Sequence, residues 1–426
     1  GDFAARPFLE ALLATGDVRT AEAAAAALAR LGDPAAAAPL ALVAAGGPAR
    51  IASAAADALA TLPAAPEVGA ALCGVALRTR DPAIAARTAQ AAAAREAECP
   101  VHQLVTRLAR GGAAAIAALA ELGAQGPQVT TRVVALLDPA RADAATRAAA
   151  ARFLARAGEV AAAPAVVRRA AALAARAGEA GTLAPDEAEE LGALLLAAGR
   201  LRPEGADALL REGVSDPLPA VRAGAVQGLA QLGATGAVER VAAALEDPDL
   251  RVRLVAADAL GRQGTRGAVA LAKASAAERF REVEWRIALA RALGEAGSAE
   301  AVPALAALLD GPAAASAAAA LARTGAPGAS APLAAYLARP EATARAEAIE
   351  ALAALGASDA APIMAAQLTH DRPEVRAAAA RALGKVRYEP ASARLEALRS
   401  DYYGRVRRAA VEALAKLPSG SARPRP

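Results

Sequence analysis

Seven leucines, Leu229, Leu260, Leu293, Leu321, Leu352, Leu383 and Leu414, stand 31, 33, 28, 31, 31 and 31 residues apart, each near the end of a helix-forming stretch. A near-constant step of that size marks one helical hairpin copied along the chain. A single hairpin cannot bury its apolar face until a neighbour covers it. The copies share more than the leucine, because Val221-Arg222, Val252-Arg253, Val375-Arg376 and Val406-Arg407 each lie eight and seven residues ahead of it. An all-α chain of stacked units follows, and such a chain offers a long face rather than a reaction centre.

The punctuation supports helices joined by short turns. Asp-Pro occurs at Asp33-Pro34, Asp81-Pro82, Asp138-Pro139, Asp216-Pro217 and Asp247-Pro248. A carboxylate can cap a helix start, and proline is tolerated in the first turn, where its missing N–H costs nothing. Glycine follows the leucine stretch at Gly233, Gly261, Gly294, Gly356 and Gly384, where it suits a left-handed helix terminator. The same template extends backward to Leu28, Leu59, Leu119 and Leu154, with a degenerate copy near Ala91 and another ending around residues 194–196.

Because each repeat touches only its neighbours, 426 residues need not mean several globules. The expectation is one solenoid over residues 1–417. Residues 1–158 are divergent repeats, 159–200 an irregular longer repeat with the acidic cluster Asp186, Glu187, Glu189 and Glu190, and 201–417 regular repeats. Residues 418–426, rich in Pro, Ser and Arg, cannot bury a core and read as a flexible tail. Aromatic residues are 2% of the chain, so the core must be built from alanine, leucine and valine.

The order Asp-Pro, Val-Arg, Ala-x-x-Ala-Leu-Gly resembles the HEAT repeat family, in the short bacterial form of phycobilisome lyase-like repeats. The resemblance is strongest over residues 213–417. It implies a right-handed alpha-alpha superhelix of about thirteen antiparallel helix hairpins. It also implies an Asp/Arg ladder between neighbouring repeats, in which Asp216, Asp247, Asp371 and Asp401 partner Arg222, Arg253, Arg376 and Arg407.

The arginine column (Arg222, Arg253, Arg286, Arg345, Arg376, Arg407) admits two readings, that structural ladder or a stripe tracking phosphates. The net charge of +4 is small for a nucleic-acid binder. From Asp371 onward, however, thirteen Arg or Lys face six acids, an excess of seven, so the carboxy-terminal end is basic. Two residues before each leucine the side chains vary in sign: Asp57, Gln227, Asp258, Arg291, Ala319, Glu350, Arg381 and Glu412. That mixture suits a solvated surface or a tailored protein interface. Around 311–338 the charges thin out at Ala314 and Ala319, leaving an apolar strip. Tyr336, Tyr388, Tyr402 and Tyr403 are candidate interface anchors, with end-cap packing as their alternative. The partner-binding candidates are therefore Asp258, Arg291, Ala314, Ala319, Tyr336, Glu350, Arg381, Tyr402 and Tyr403.

No catalytic, metal or cofactor site is read. His102 lies near Cys99, but a zinc site needs three or four ligands and no second pair appears. With two histidines on distant repeats no serine triad is legible, and Trp285 occupies the valine column with Phe280 nearby, as a core residue would. Cys73 falls within a helix and Cys99 just ahead of the equivalent helix of the next copy. That offset is about 10 Å, longer than a disulfide spans, so free thiols are expected. No apolar run reaches membrane-spanning length. The chain opens at Gly1, so a removed leader or a tag scar is considered and the compartment stays open.

The functional expectation is a non-catalytic scaffold that binds a protein partner, as a subunit or accessory factor of a larger assembly. No cofactor, membrane insertion, nucleic acid or small-molecule substrate is expected. The alternatives are a bilin lyase-like handler of a prosthetic group and a nucleic-acid binder using the basic carboxy-terminal end.

Overall fold

The computed structural model describes residues 3–108, 112–124, 126–233, 236–277 and 280–417, so the expected tail at 418–426 lies outside the described residues. Among the described residues the chain is all α, with 26 α-helices, short 3-10 turns and no strand. The helices pair in chain order into thirteen antiparallel hairpins. Seven belong to a compact unit of residues 1–232 and six to a second unit of residues 233–426. Within each unit the second helix of one hairpin packs on the second helix of the next, as Ala144–Ala157 does on Pro185–Leu201 and Pro373–Lys385 on Gly404–Lys416. The periodic leucines Leu229, Leu260, Leu293, Leu321, Leu352 and Leu383 have no solvent exposure, and they share the core with closely packed alanine and valine.

Aspartate starts several helices. The Asp17 carboxylate accepts from the N–H groups of Arg19 and Thr20, Asp81 from those of Ala83 and Ile84, and Asp143 from that of Thr146. The glycines divide into two groups. Gly233 and Gly356 are left-handed, with φ of 63° and 68°, as terminators should be. Gly261, Gly294 and Gly384 instead keep a right-handed backbone in the last turn of their helices, correcting the expectation of left-handed terminators. They are glycine because a neighbouring helix comes too close. A Cβ on Gly384 would sit 2.6 Å from the Cα of Ala413, and one on Gly294 would sit 2.7 Å from the Cβ of Ala320.

In the first unit, Pro185–Leu201 and Pro219–Leu232 meet backbone to backbone. A Cβ on Gly199 would lie 2.1 Å from the carbonyl oxygen of Gly228, and one on Gly224 would lie 2.1 Å from that of Gly192. Alanine improves helix propensity by about 1 kcal/mol, but forcing atoms into a full contact costs about 1–3 kcal/mol or more. Gly224→Ala should therefore destabilise the first unit by about 1–2 kcal/mol. Gly178→Ala meets nothing within 4 Å and should stabilise it slightly. Urea midpoints of the two variants check the contrast, and a stabilising Gly224→Ala would refute the close approach.

Cys73 and Cys99 form a disulfide, with Cα atoms 5.2 Å apart, which corrects the expectation of free thiols. The 10 Å offset presumed that Cys99 continues a helical path. Instead helix Pro82–Ala93 stops, Glu96 turns with φ of 55°, and the segment before Val101 returns against Pro66–Arg78. Gly69 admits it, since a Cβ there would stand 3.0 Å from that of Ala97. The Arg95 guanidinium pins the turn by donating to the carbonyls of Ala60 at 2.6 Å, Leu62 at 2.9 Å and Ala91 at 2.9 Å.

The irregular repeat holds a buried ionic cluster. Glu190, with no solvent exposure, takes Arg147 Nη2 at 2.7 Å and Arg169 Nε at 2.6 Å on its two oxygens. Arg147 stands seven residues before Leu154, in the arginine column, but the acidic cluster gave no sign that one member would be enclosed between two guanidiniums. Glu187 pairs at the surface with Arg176 at 2.7 Å.

Candidate functional site

Arginines of the column clamp the turns inside several hairpins. Arg222 Nη1 donates to the carbonyls of Asp216 and Pro217, both at 2.9 Å, and Arg253 Nη1 to those of Asp247 and Pro248 at 2.9 and 3.0 Å. Arg376 does the same to His370 and Asp371 at 2.8 Å, and Arg407 to Asp401 at 2.8 Å and Tyr402 at 2.9 Å. The spacing of five and six residues is constant because the turn must reverse the chain within one helix diameter. The aspartates order the same turns from the other side. Asp216 accepts from the Leu218 N–H, Asp247 from that of Asp249, and Asp401 from that of Tyr403. In the turn before Pro373–Lys385 this role passes to His370, whose Nδ1 accepts from the Arg372 N–H at 3.1 Å. Asp371 meets Arg376 through its carbonyl. Burial, and next the positive charge of Arg345, lower the His370 pKa, which favours the neutral ring that accepting requires.

Arginines of the column also reach the next repeat, as Arg345 does by donating to Gln367 Oε1 at 3.2 Å. Arg376 grips Asp401 with two bonds of 2.9 and 3.1 Å. Arg253, fully buried, pairs with Glu282 at 2.6 Å, with the Phe280 ring 3.7 Å and the Trp285 ring 5.5 Å from its guanidinium. Trp285 is 2% exposed and belongs to the core. Arg286 lies against Gly311 of the following turn.

The hydrogen bonds from Arg376, above all, hold the Asp401 carboxyl below its ordinary 3.8, against the opposing effect of burial. The unfolded carboxyl binds its proton near the ordinary value, so the pair's contribution is complete above about pH 4. It fades as pH falls from there through the lowered folded value. Asp401→Asn should cost about 2 kcal/mol at pH 7. The gap from the parent protein should narrow below about pH 4 in acid titrations of stability, and a pH-independent gap would contradict the assignment.

The partner-binding candidates separate on this frame. Asp258 pairs with Arg262 on its own helix at 2.6 Å, whereas Glu350 and Arg381 pair across neighbouring second helices at 2.6 Å, both about half exposed. Arg291 and Ala319 are exposed. Ala314 and Tyr336 are corrected, since each is only 3% exposed and neither is a surface anchor. Ala314 falls in the arginine column, which faces the turn rather than solvent. Tyr336 turns inward so that its hydroxyl accepts from the N–H groups of Thr343 and Ala344, both at 3.0 Å, ahead of a helix that has no side-chain cap. Tyr402 and Tyr403 are 88% and 42% exposed and meet edge to face at 5.2 Å, with Arg376 and Arg405 each 5.9 Å from the Tyr403 ring.

Sequence reasoning missed Ile287, which is 40% exposed one helical turn before Arg291 and extends the apolar strip of Ala315 and Ala319. Its position six residues before Leu293 matches that of Ala315 before Leu321, and that register was the available signal. Beside the strip, a shallow cleft of about 290 Å³ opens at the starts of Ala314–Thr324, Arg345–Ala354 and Pro373–Lys385. Pro312, Ala315, Thr343 and Ala346 line it with the Arg372–Glu374 pair. Among the described residues, no group of three or more His, Cys, Asp or Glu could hold a metal, and no helix is long and apolar enough to cross a membrane.

Stacked hairpins with a repeated turn clamp and a variable second-helix row define an α-solenoid repeat protein. Residues 206–285 and 330–415 match the model of HEAT repeats, and residues 285–311 match that of the PBS lyase HEAT-like repeat. Residues 206–311 and 330–415 are HEAT repeats. Among solved structures, an engineered protein is similar at 21% identity over 96% of this chain and 98% of that one, with a TM-score of 0.33. The karyopherin Kap121p, in its structure bound to Nup53p, is 13% identical over 98% of this chain with a TM-score of 0.43; the aligned part is 53% of the karyopherin, about half its length. The complex of CpcE and CpcF of phycocyanin lyase from Nostoc sp. PCC7120 is 23% identical over 56% of this chain and 96% of that one, with a TM-score of 0.26. No curated protein matches the chain.

Proposed function

We propose that this protein is a non-catalytic HEAT-repeat scaffold that binds a protein partner along the second-helix row of residues 283–385, as a subunit or accessory factor of a larger assembly. One observation carries the reading. On a frame of hairpins stacked through their second helices, the exposed row changes from Arg291 with Ile287, to Ala315 with Ala319, to the Glu350–Arg381 pair. Helix stacking held constant while one outward row varies is how a rigid surface presents a specific pattern to a partner. A pre-organised surface loses little entropy on binding, so a few anchors suffice. Tyr402 and Tyr403 add exposed aromatic area nearer the end of the same unit.

The test is crosslinking in extract of the source cells, followed by identification of the attached peptides. Ala319→Arg and Ile287→Glu replace exposed side chains and leave the core alone. Each should lower recovery of the crosslinked partner about tenfold without moving the unfolding midpoint. Unchanged recovery from both, or recovery of the protein with nothing attached, would overturn the reading.

A further inference from the structure

The glycine contacts of the first unit have a geometric consequence on the opposite side of the same hairpins. Because Gly192, Gly199, Gly224 and Gly228 let two second helices meet backbone to backbone, those helices sit closer than side chains normally allow. Their first helices do not match in length: Ala163–Ala180 has 18 residues and Ala206–Gly213 has 8. Between these first helices lies a cleft of about 270 Å³. Its walls are aliphatic, from Leu183, Leu191, Leu195, Leu209 and Val221. Gly178 leaves space where a side chain would fill it, since a Cβ there would meet nothing within 4 Å, whereas Gly213 is packed, a Cβ there standing 2.9 Å from Leu195 and Ala225.

The charge around the cleft has one sign. Glu212 and Asp216 line it, and no lysine or arginine does. The nearby cations are engaged elsewhere, Arg211 with Asp207 at 2.5 Å and Arg222 with turn carbonyls. Elsewhere on this unit, surface carboxylates such as Glu22, Asp57 and Glu121 each hold an arginine of the next repeat. An apolar cleft bordered by two carboxylates and lined by no cation complements a ligand with an aliphatic group beside a positive charge.

We propose that this cleft seats a short basic segment of a partner protein, with a leucine-like side chain between Leu195 and Leu209 and an adjacent arginine or lysine facing Glu212 and Asp216. That the ligand is a protein segment rests on the scaffold reading above, whereas the apolar and cationic chemistry rests on the cleft itself. An acidic segment is excluded by like-charge repulsion.

The experiment uses the full chain with labelled leucine methyl groups, assigned by single substitutions and followed by NMR. An acetylated peptide of alternating leucine and arginine is titrated, then its counterpart with glutamate for arginine, then hexylammonium. Leu195 and Leu209 methyls should shift and saturate with the arginine peptide and not with the glutamate peptide. Glu212→Arg, a change of an exposed side chain, should weaken the arginine peptide about tenfold. Gly178→Leu, which fills the cleft, should do the same without lowering the unfolding midpoint. Equal response to both peptides, no saturable shift, or indifference to both variants would overturn the proposal. Hexylammonium binding as tightly as the arginine peptide would also overturn it, in favour of a small-amine site. The scaffold reading is tested separately by the crosslinking variants at Ile287 and Ala319, so one can fail while the other stands.

Discussion

Glu190→Leu is expected to lower the stability of the first unit by about 3–5 kcal/mol, the cost of removing one member of a buried ionic cluster. The carboxylate is fully buried, and the side chains of Arg147 and Arg169 are 7% and 10% exposed. Leucine fits the space but accepts no hydrogen bond, so two guanidiniums would remain in low dielectric without a counter-charge. Arg147 has little in reserve. Its Nη1 already donates to the Ala142 carbonyl, and its Nε has no hydrogen-bond partner among the described residues. Replacing all three members, with Met for both arginines and Leu for Glu190, should recover most of the loss, because desolvating the charges offsets much of their attraction. Hydrogen exchange in Ala144–Ala157 and Pro185–Leu201, read alongside urea unfolding, localises the effect in a chain whose two units need not unfold together. A Glu190→Leu cost under about 1 kcal/mol would show that the carboxylate does not organise this repeat.

Removing the disulfide should have nearly as large an effect. Cys73 and Cys99 are 26 residues apart, and closing a loop of that length lowers the entropy of the unfolded chain by the equivalent of about 3.5 kcal/mol. The double replacement Cys73→Ser with Cys99→Ser should destabilise the first unit by about 2–4 kcal/mol. Parent protein in dithiothreitol should fall to the same midpoint, and an oxidised parent that unfolds together with its reduced form would refute the cross-link. Arg95 is expected to hold the turn near its native course even when reduced, since its three carbonyl bonds do not involve sulfur.

Much of the fold was legible because repetition turns one local pattern into many independent readings. The leucine spacing, the Val-Arg pair and the Asp-Pro turns each recur, so the hairpins and their order needed no knowledge of distant contacts. The candidate surface was legible in part. Arg291, Ala319, Glu350 and Arg381 stand outward as their register suggested, but register alone could not say that Glu350 and Arg381 would meet each other. Ala314 and Tyr336 were misread for one reason, that apolar or aromatic character does not say which way a side chain points at the end of a short helix. There the unsatisfied N–H groups of Thr343 and Ala344 drew the Tyr336 hydroxyl inward.

By itself, the sequence determined the helical hairpin, its number of copies and the recurring Val-Arg pair, since these depend on residues a few positions apart. Tertiary structure alone decided that Gly261, Gly294 and Gly384 are contact points rather than left-handed terminators, that Cys99 comes back to Cys73, and that Glu190 is enclosed by Arg147 and Arg169. Each of those outcomes depends on how near one helix or loop comes to another. That distance is set by the packing of whole surfaces and leaves no mark at a fixed spacing along the chain.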